Sequence, residues 1–232
     1  MLWRKKLSEI KLNDYRDTIS DAYVYGLDES IKASKYPMAV DVNKCTNEIT
    51  DRTRSLGNVD IGTGHDNFLK GITVQFDWKF TTKLSVELER YNFIYFVSSQ
   101  STMHRITRFD LDKAYIEYVD KRCITVIKEK VRDYNFVLDN KDNLFVLNKS
   151  RACDTHFENK EEVLEWLKHK YLEILYSDPC GIYLTARIAT NYQSLKTIYY
   201  QRRNHRLPEW QIFCDWIETL PHFKELCLTK TN

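Results

Sequence analysis

The chain has 232 residues, 43% of them hydrophobic and 29% charged, with only six glycines and four prolines. This composition suits a globular chain with a sizeable core and excludes a disordered or low-complexity one. A formal charge of +2 gives no global pull toward nucleic acid, and no run approaches the roughly 20 apolar residues of a membrane span.

The start, "MLWRKKLSEIKL", breaks its apolar character with charge at once, which argues against a signal peptide. From Asn13 to about Gly26 the pattern suggests a helix, and "ESIKASKY" a second short one before Pro37. Asp41 to Asn67 is polar and turn-rich, and Gly62 and Gly64 permit a tight turn in "DIGTGHDN". In "GITVQFDW", Ile72, Val74, Phe76 and Trp78 alternate with polar residues, the period of a half-buried strand. Thr81 or Thr82 can cap a following helix with Leu84, Leu88, Tyr91 and Tyr95 on one stripe, apolar nearly all round in "YNFIYFV". Asp112 to Tyr134 reads as a long amphipathic helix with Ile116, Val119, Cys123, Val126 and Ile127 inward.

"FVLDNKDNLFVL" reads as strand, turn, strand, a small hairpin near residues 134–148. Asn159 with Glu162 makes a capping-box-like start for "VLEWLKHKYLEILY", which "SDPCG" ends. A helical pair closes the chain, "LTARIATNYQSLKTIYYQ" and "PEWQIFCDWIETL", with Pro208 suited to a first turn. The expectation is one α+β domain over residues 1–232, mainly helical, with a small antiparallel sheet.

Six scattered cysteines without a CxxC pair suggest reduced thiols in a cytoplasmic protein. The histidines form no metal-ligand pattern, so no metal is expected. Two polar windows interrupt the apolar pattern. "FVSSQSTMHR", residues 96–105, gathers hydrogen-bond donors into ten residues, as an exposed loop or as an anion cradle. "QRRNHR", residues 201–206, sets three arginines before a helix start, a phosphate site or a solvated basic corner. Tyr199, Tyr200 and Trp210 beside it are stacking platforms or core.

"TNYQSLKTIYYQR" resembles the helix of flavin-dependent thymidylate synthases that reads approximately VNxRSLxNFLxLR, with Asn191, Ser194, Leu195 and Arg202 in register. "GHDNFLKGITVQFD" is similar to the family's GHxxPFEHxxFTF stretch through Gly64, His65 and the strand pattern, with Gly71 in place of the second histidine. The signature RHRxxSxxxxSxR falls across the donor-rich window, with Ser98 at the first serine and Arg105 at the last arginine. Its RHR triplet, which holds the flavin in the family, is here Phe93, Ile94 and Tyr95, and its second serine is Met103. "IKASKYPM" loosely resembles the family's RAARVSF segment.

The resemblance implies the thymidylate-synthase-complementing fold, a homotetramer, and binding of FAD and dUMP. The implied reaction is reductive methylation of dUMP, or a related pyrimidine nucleotide, at C5, with methylenetetrahydrofolate and NADPH as co-substrates. It implies Arg90, Ser98, Gln100, Ser101, Arg105 and Arg202 around the nucleotide. Arg202 would also act catalytically, since an arginine by the uracil carbonyl stabilises developing charge. His65 and Asn191 fall to the flavin or folate side. Each has a structural alternative: Arg105 pairs with Asp110 or Asp112, Ser98 ends a helix, and Asn191 ties two helices together. Two further readings stay open: a nucleotide-binding protein that has lost flavin chemistry, and a single-stranded nucleic-acid module, against which the near-neutral charge argues.

Overall fold

The computed structural model describes residues 7–150 and 155–229. In chain order the elements are β1 (Glu9–Lys11), β2 (Ile19–Tyr25), α1 (Leu27–Ala33), α2 (Asp51–Gly57), β3 (Thr73–Thr81), α3 (Thr82–Leu88) and β4 (Tyr95–Ser99). There follow α4 (Thr102–Arg105), α5 (Lys121–Asp139), α6 (Leu144–Lys149), α7 (Lys160–Ser177), β5 (Tyr183–Asn191), α8 (Tyr192–Arg202) and α9 (Pro208–Ile217). The class is α+β, as expected. The chain forms two compact units: Met1–Phe80, Leu84–Ser99 and Thr185–Asn232 make the first, Thr81–Lys83 and Gln100–Leu184 the second.

The first unit is built on a sheet of order β1-β2-β3-β5-β4. The β1–β2, β2–β3 and β4–β5 pairs are antiparallel. A bond from the Tyr192 N–H to the Ile72 carbonyl sets the end of β5 beside the start of β3. In β3 the alternation expected from "GITVQFDW" holds, with Val74, Phe76, Trp78 and Phe80 all buried. They meet α9, which Pro208 opens and which buries Trp210, Phe213 and Ile217 at helical spacing. Trp78 stacks on Phe213 at 4.0 Å, and Phe76 lies 4.5 Å from Trp216. Stacked and tilted rings at these distances add to what area burial alone contributes.

Several sequence expectations change. The segment from Asn13 to Gly26 holds no helix: a turn leads into the strand β2 at Ile19–Tyr25. A bulge at Asp21 (φ +46°) shifts the parity, so buried Ile19 and Ala22 stand three apart before period two resumes at Val24. "LTARIATN" is also a strand: Ala186, Ile188 and Thr190 face inward at period two, and the helix starts only after Asn191. The helix α3 stops at Leu88 and does not run buried through "YNFIYFV". Ile94 turns into the core and residues 95–99 form the exposed edge strand β4, where aromatic and β-branched residues are favoured.

In the second unit, one cluster joins Ile106, Leu111, Ile127, Val131, Ile174 and Ile182; another joins Val137, Leu147, Phe157, Val163 and Leu167. The long helix α5 begins at Lys121, where the Asp120 carboxylate accepts from the Arg122 N–H at 2.8 Å, and not at Asp112. Cys123 and Val126, expected inward, are exposed; Ile127 is buried. The hairpin expected near residues 134–148 is absent. The helix α5 continues to Asp139, and Asn143 caps α6 by accepting from the Val146 N–H at 3.1 Å. The two apolar "FVL" triplets lack period two and bury Val137 and Leu147 from helices. Asn159 caps α7 as expected, accepting from the Glu162 N–H at 2.9 Å. The five cysteines among the described residues are free thiols; Cys153 lies outside them.

Candidate functional site

Within the first unit, a cavity of about 280 Å³ opens beside α8. One wall is the turn after α3: Arg90, Tyr91, Asn92 and Phe93. The other is a single face of α8: Gln193, Ser194, Thr197 and Gln201. Asn191 makes that face available by capping the helix. Its Oδ1 accepts from the Ser194 N–H at 2.9 Å and the Ser194 hydroxyl at 3.1 Å. Arg90 is exposed, and its guanidinium has no partner among the described residues.

Two chains of polar contacts hold the α8 wall from behind. At its start, the buried Lys196 ammonium donates to the carbonyls of Gly57 (2.9 Å) and Val59 (2.6 Å) and to Asp66 Oδ2 (3.0 Å). Asp66 Oδ1 accepts from Gln193 Nε2 at 2.7 Å. Asp66 is 1% and Lys196 2% exposed, so this ion pair is fully out of water. Only glycine fits at residue 57, because a Cβ there would stand 2.1 Å from the Leu226 carbonyl oxygen. At the far end, Arg202 Nε donates to the Tyr91 hydroxyl at 2.6 Å, which donates to Gln201 Oε1 at 3.1 Å. Arg202 Nη1 meets Glu87 Oε2 at 3.0 Å, and Glu87 also accepts from the Trp210 indole N–H at 2.9 Å. The guanidinium lies 5.0 Å from the Trp210 ring centroid and 5.5 Å from that of Tyr91, a cation–π arrangement.

The residues expected in the site are distributed as follows. Arg90 lines the cavity, Asn191 caps the helix that forms its wall, and Arg202 stands behind Tyr91. His65 is exposed in the turn that Gly62 (φ +94°) and Gly64 (φ +78°) shape; its neighbour Asp66 is the buried member. Ser98 is exposed on β4 opposite Arg187. Gln100, Ser101 and Arg105 belong to the second unit, where Arg105 is exposed at the end of α4 and its charge acts on the Tyr171 phenol. Asp110 and Asp112 pair with Lys113 and Lys128. The "QRRNHR" corner is largely neutralised, since Arg202 meets Glu87 and Arg203 meets Asp215 and Glu218.

Sequence reasoning missed Gln193, Thr197 and Gln201, a polar stripe at i, i+4, i+8 that becomes visible once the helix is started at Asn191. It also missed Lys196, a lysine between Leu195 and Ile198 on a buried helix. No local signal marks Asp66, whose burial comes from contacts 127 and 130 residues away.

Among the perturbed groups of this unit, burial pushes the Cys214 thiol up to about 12 and raises the Tyr192 phenol. Both are core fillers. In the second unit burial pushes the Asp178 carboxyl up to about 6, opposed by a 2.7 Å hydrogen bond from the Tyr115 hydroxyl.

No protein-family model and no curated protein matches the chain. Its structure is similar to two solved structures of flavin-dependent thymidylate synthase from Helicobacter pylori, both with FAD and dUMP. Each gives a TM-score of 0.57 at 14% identity. The first match covers 89% of this chain and 97% of the other; the second covers 96% and 97%. The fold is that of the flavin-dependent thymidylate synthases.

Proposed function

We propose that the chain binds a pyrimidine nucleotide in the cavity beside α8 and, with flavin bound, methylates dUMP reductively at C5, using methylenetetrahydrofolate and NADPH. The observation that carries this reading is Arg90, a cation without a partner among the described residues on a wall otherwise made of amides, hydroxyls and Phe93. Such a guanidinium stabilises nothing in the fold and suits a phosphate or a carbonyl edge. The fold shared with an enzyme solved with FAD and dUMP supports the same ligand class.

FAD, when bound, supplies the electrons of the methylation. Gap-free register gives the flavin-holding triplet to Phe93, Ile94 and Tyr95. None of those three carries a charge, and this reading keeps Arg90 for the nucleotide. Asn191 acts by capping the helix that carries Gln193, and Arg202 acts through Tyr91. Ser98, Gln100, Ser101 and Arg105 are proposed nucleotide contacts on the resemblance of their stretch, and His65 a contact on the flavin or folate side. The same resemblance supports a homotetramer. The free thiols support a cytoplasmic protein, and no helix among the described residues is long and apolar enough to cross a membrane.

A second reading, a nucleotide-binding protein without flavin chemistry, has its own support. At about 280 Å³ the cavity falls just below the usual range of small-molecule sites, about 300–1,000 Å³, which favours a single small ligand. The visible absorbance spectrum of the purified protein with added FAD separates the two. A bound-flavin spectrum followed by dUMP-dependent NADPH oxidation supports the enzyme. A colourless protein that binds dUMP by calorimetry supports the second reading, and one that binds neither removes both.

A further inference from the structure

The two glutamines of the α8 wall are held in opposite senses. A carboxylate only accepts hydrogen bonds, so at Asp66 Oδ1 it is the amide nitrogen of Gln193 that must point inward, at 2.7 Å. The Gln193 carbonyl oxygen then has no partner among the described residues and belongs to the cavity side of the chain. At the other end the Tyr91 hydroxyl, whose lone pair takes the Arg202 Nε–H, donates to Gln201 Oε1 and leaves the Gln201 amide nitrogen without a partner among the described residues. The cavity therefore offers an acceptor near the start of α8, and donors near Gln201 and Arg90.

We propose that Asp66, held by Lys196, is a positioning residue that locks the Gln193 amide with its carbonyl toward the ligand, so that the group seated there is a hydrogen-bond donor. The inference rests on the nucleotide reading for its ligand and on the buried Lys196–Asp66–Gln193 chain for its geometry. Lys196 already has two carbonyl partners, from Gly57 and Val59, and takes Asp66 Oδ2 as its third. All three of its protons are used, so the pair has one arrangement and Gln193 inherits it. A uracil-type ring, with N3–H as donor, matches that carbonyl. A cytosine-type ring, with a lone pair at N3, opposes it.

The consequence for D66N is specific. Lys196 has only donors and keeps the oxygen of the new side-chain amide, which turns that amide's nitrogen toward Gln193. Gln193 must then flip and present its own amide nitrogen to the cavity. The experiment is calorimetric titration of dUMP and dCMP into wild type, D66N and Q193M, with thermal melts to establish folding. Wild type is expected to prefer dUMP by about tenfold, the scale of one hydrogen bond gained or opposed. D66N is expected to reverse the preference, and Q193M to bring the ratio near one. An unchanged ratio in folded D66N overturns the proposal; should D66N not fold, an unchanged ratio in Q193M overturns it. If wild type binds neither nucleotide, the nucleotide reading falls, and the side-chain amide protons of Gln193 decide the positioning by NMR. Slow exchange in wild type that is lost on substituting Asp66 upholds the lock, and fast exchange in wild type overturns it.

Discussion

Near the start of α8, Lys196 and Asp66 form an ion pair with 2% of each side chain exposed; near its end, Arg202 and Glu87 form another with 14% and 16% exposed. Both pairs stand behind the same cavity wall, and each holds one glutamine of that wall. They differ in what surrounds the cation. Lys196 is met by backbone carbonyls and a carboxylate. Arg202 lies between two aromatic rings and reaches its glutamine only through a tyrosine. A charge wholly out of water tolerates no missing partner, whereas a partly exposed one beside π faces retains solvent and ring contacts.

Halving the first pair has the largest expected effect. K196A leaves the Asp66 charge buried without a counter-ion and is expected to cost about 3–5 kcal/mol, read from urea unfolding. A cost below about 1 kcal/mol would erase the distinction between the two pairs. R202A is expected to cost less, about 2 kcal/mol, the scale of a hydrogen-bonded charge lost at a half-buried site. R202K should not recover it, because an ammonium cannot serve Tyr91 and Glu87 together while lying over two rings.

Arg90 sharpens the contrast from the cavity side. R90A is expected to leave stability within about 0.5 kcal/mol of wild type, since its guanidinium holds nothing in the fold. The same substitution should weaken dUMP binding roughly ten- to hundredfold by calorimetry. Arg90 and Arg202 thus separate by assay, one by affinity alone and the other first by stability.

The smallest effect concerns the second unit and appears only with pH. The Asp178 carboxyl, raised from 3.8 to about 6 by burial, binds its proton more tightly folded than unfolded. Its contribution is complete below pH 3.8 and is lost as pH rises through about 6. Glu173, held down from 4.5 to about 2 by hydrogen bonds from Lys130 and Lys170, works the other way. Its contribution is present above pH 4.5 and lost as pH falls through about 2. Thermal melts should therefore show a decline of a few degrees between about pH 4.5 and about pH 7. D178N should flatten that decline, and an unaltered slope would place its origin elsewhere.

The sequence by itself determined the elements whose signals are local. The alternation of β3, the cap Asn159, the opening proline of α9 and the apolar spacing of Trp210, Phe213 and Ile217 depend on residues a few positions apart. The motif likeness in "TNYQSLKTIYYQR" belongs there too, because nearly all of it lies on one unbroken helix. Only the tertiary structure decided the rest. The bulge at Asp21 disguised β2, and edge position decided that "YFVSS" is an exposed strand. The roles of the two arginines and of Gln193 depend on which partners reach them. Arg202 finds Glu87 and Tyr91 more than 100 residues away, Arg90 finds none among the described residues, and Gln193 is set by Asp66, 127 residues earlier. Hydrogen-bond direction at a buried acceptor is a property of packing, and packing is written in contacts that no window of sequence contains.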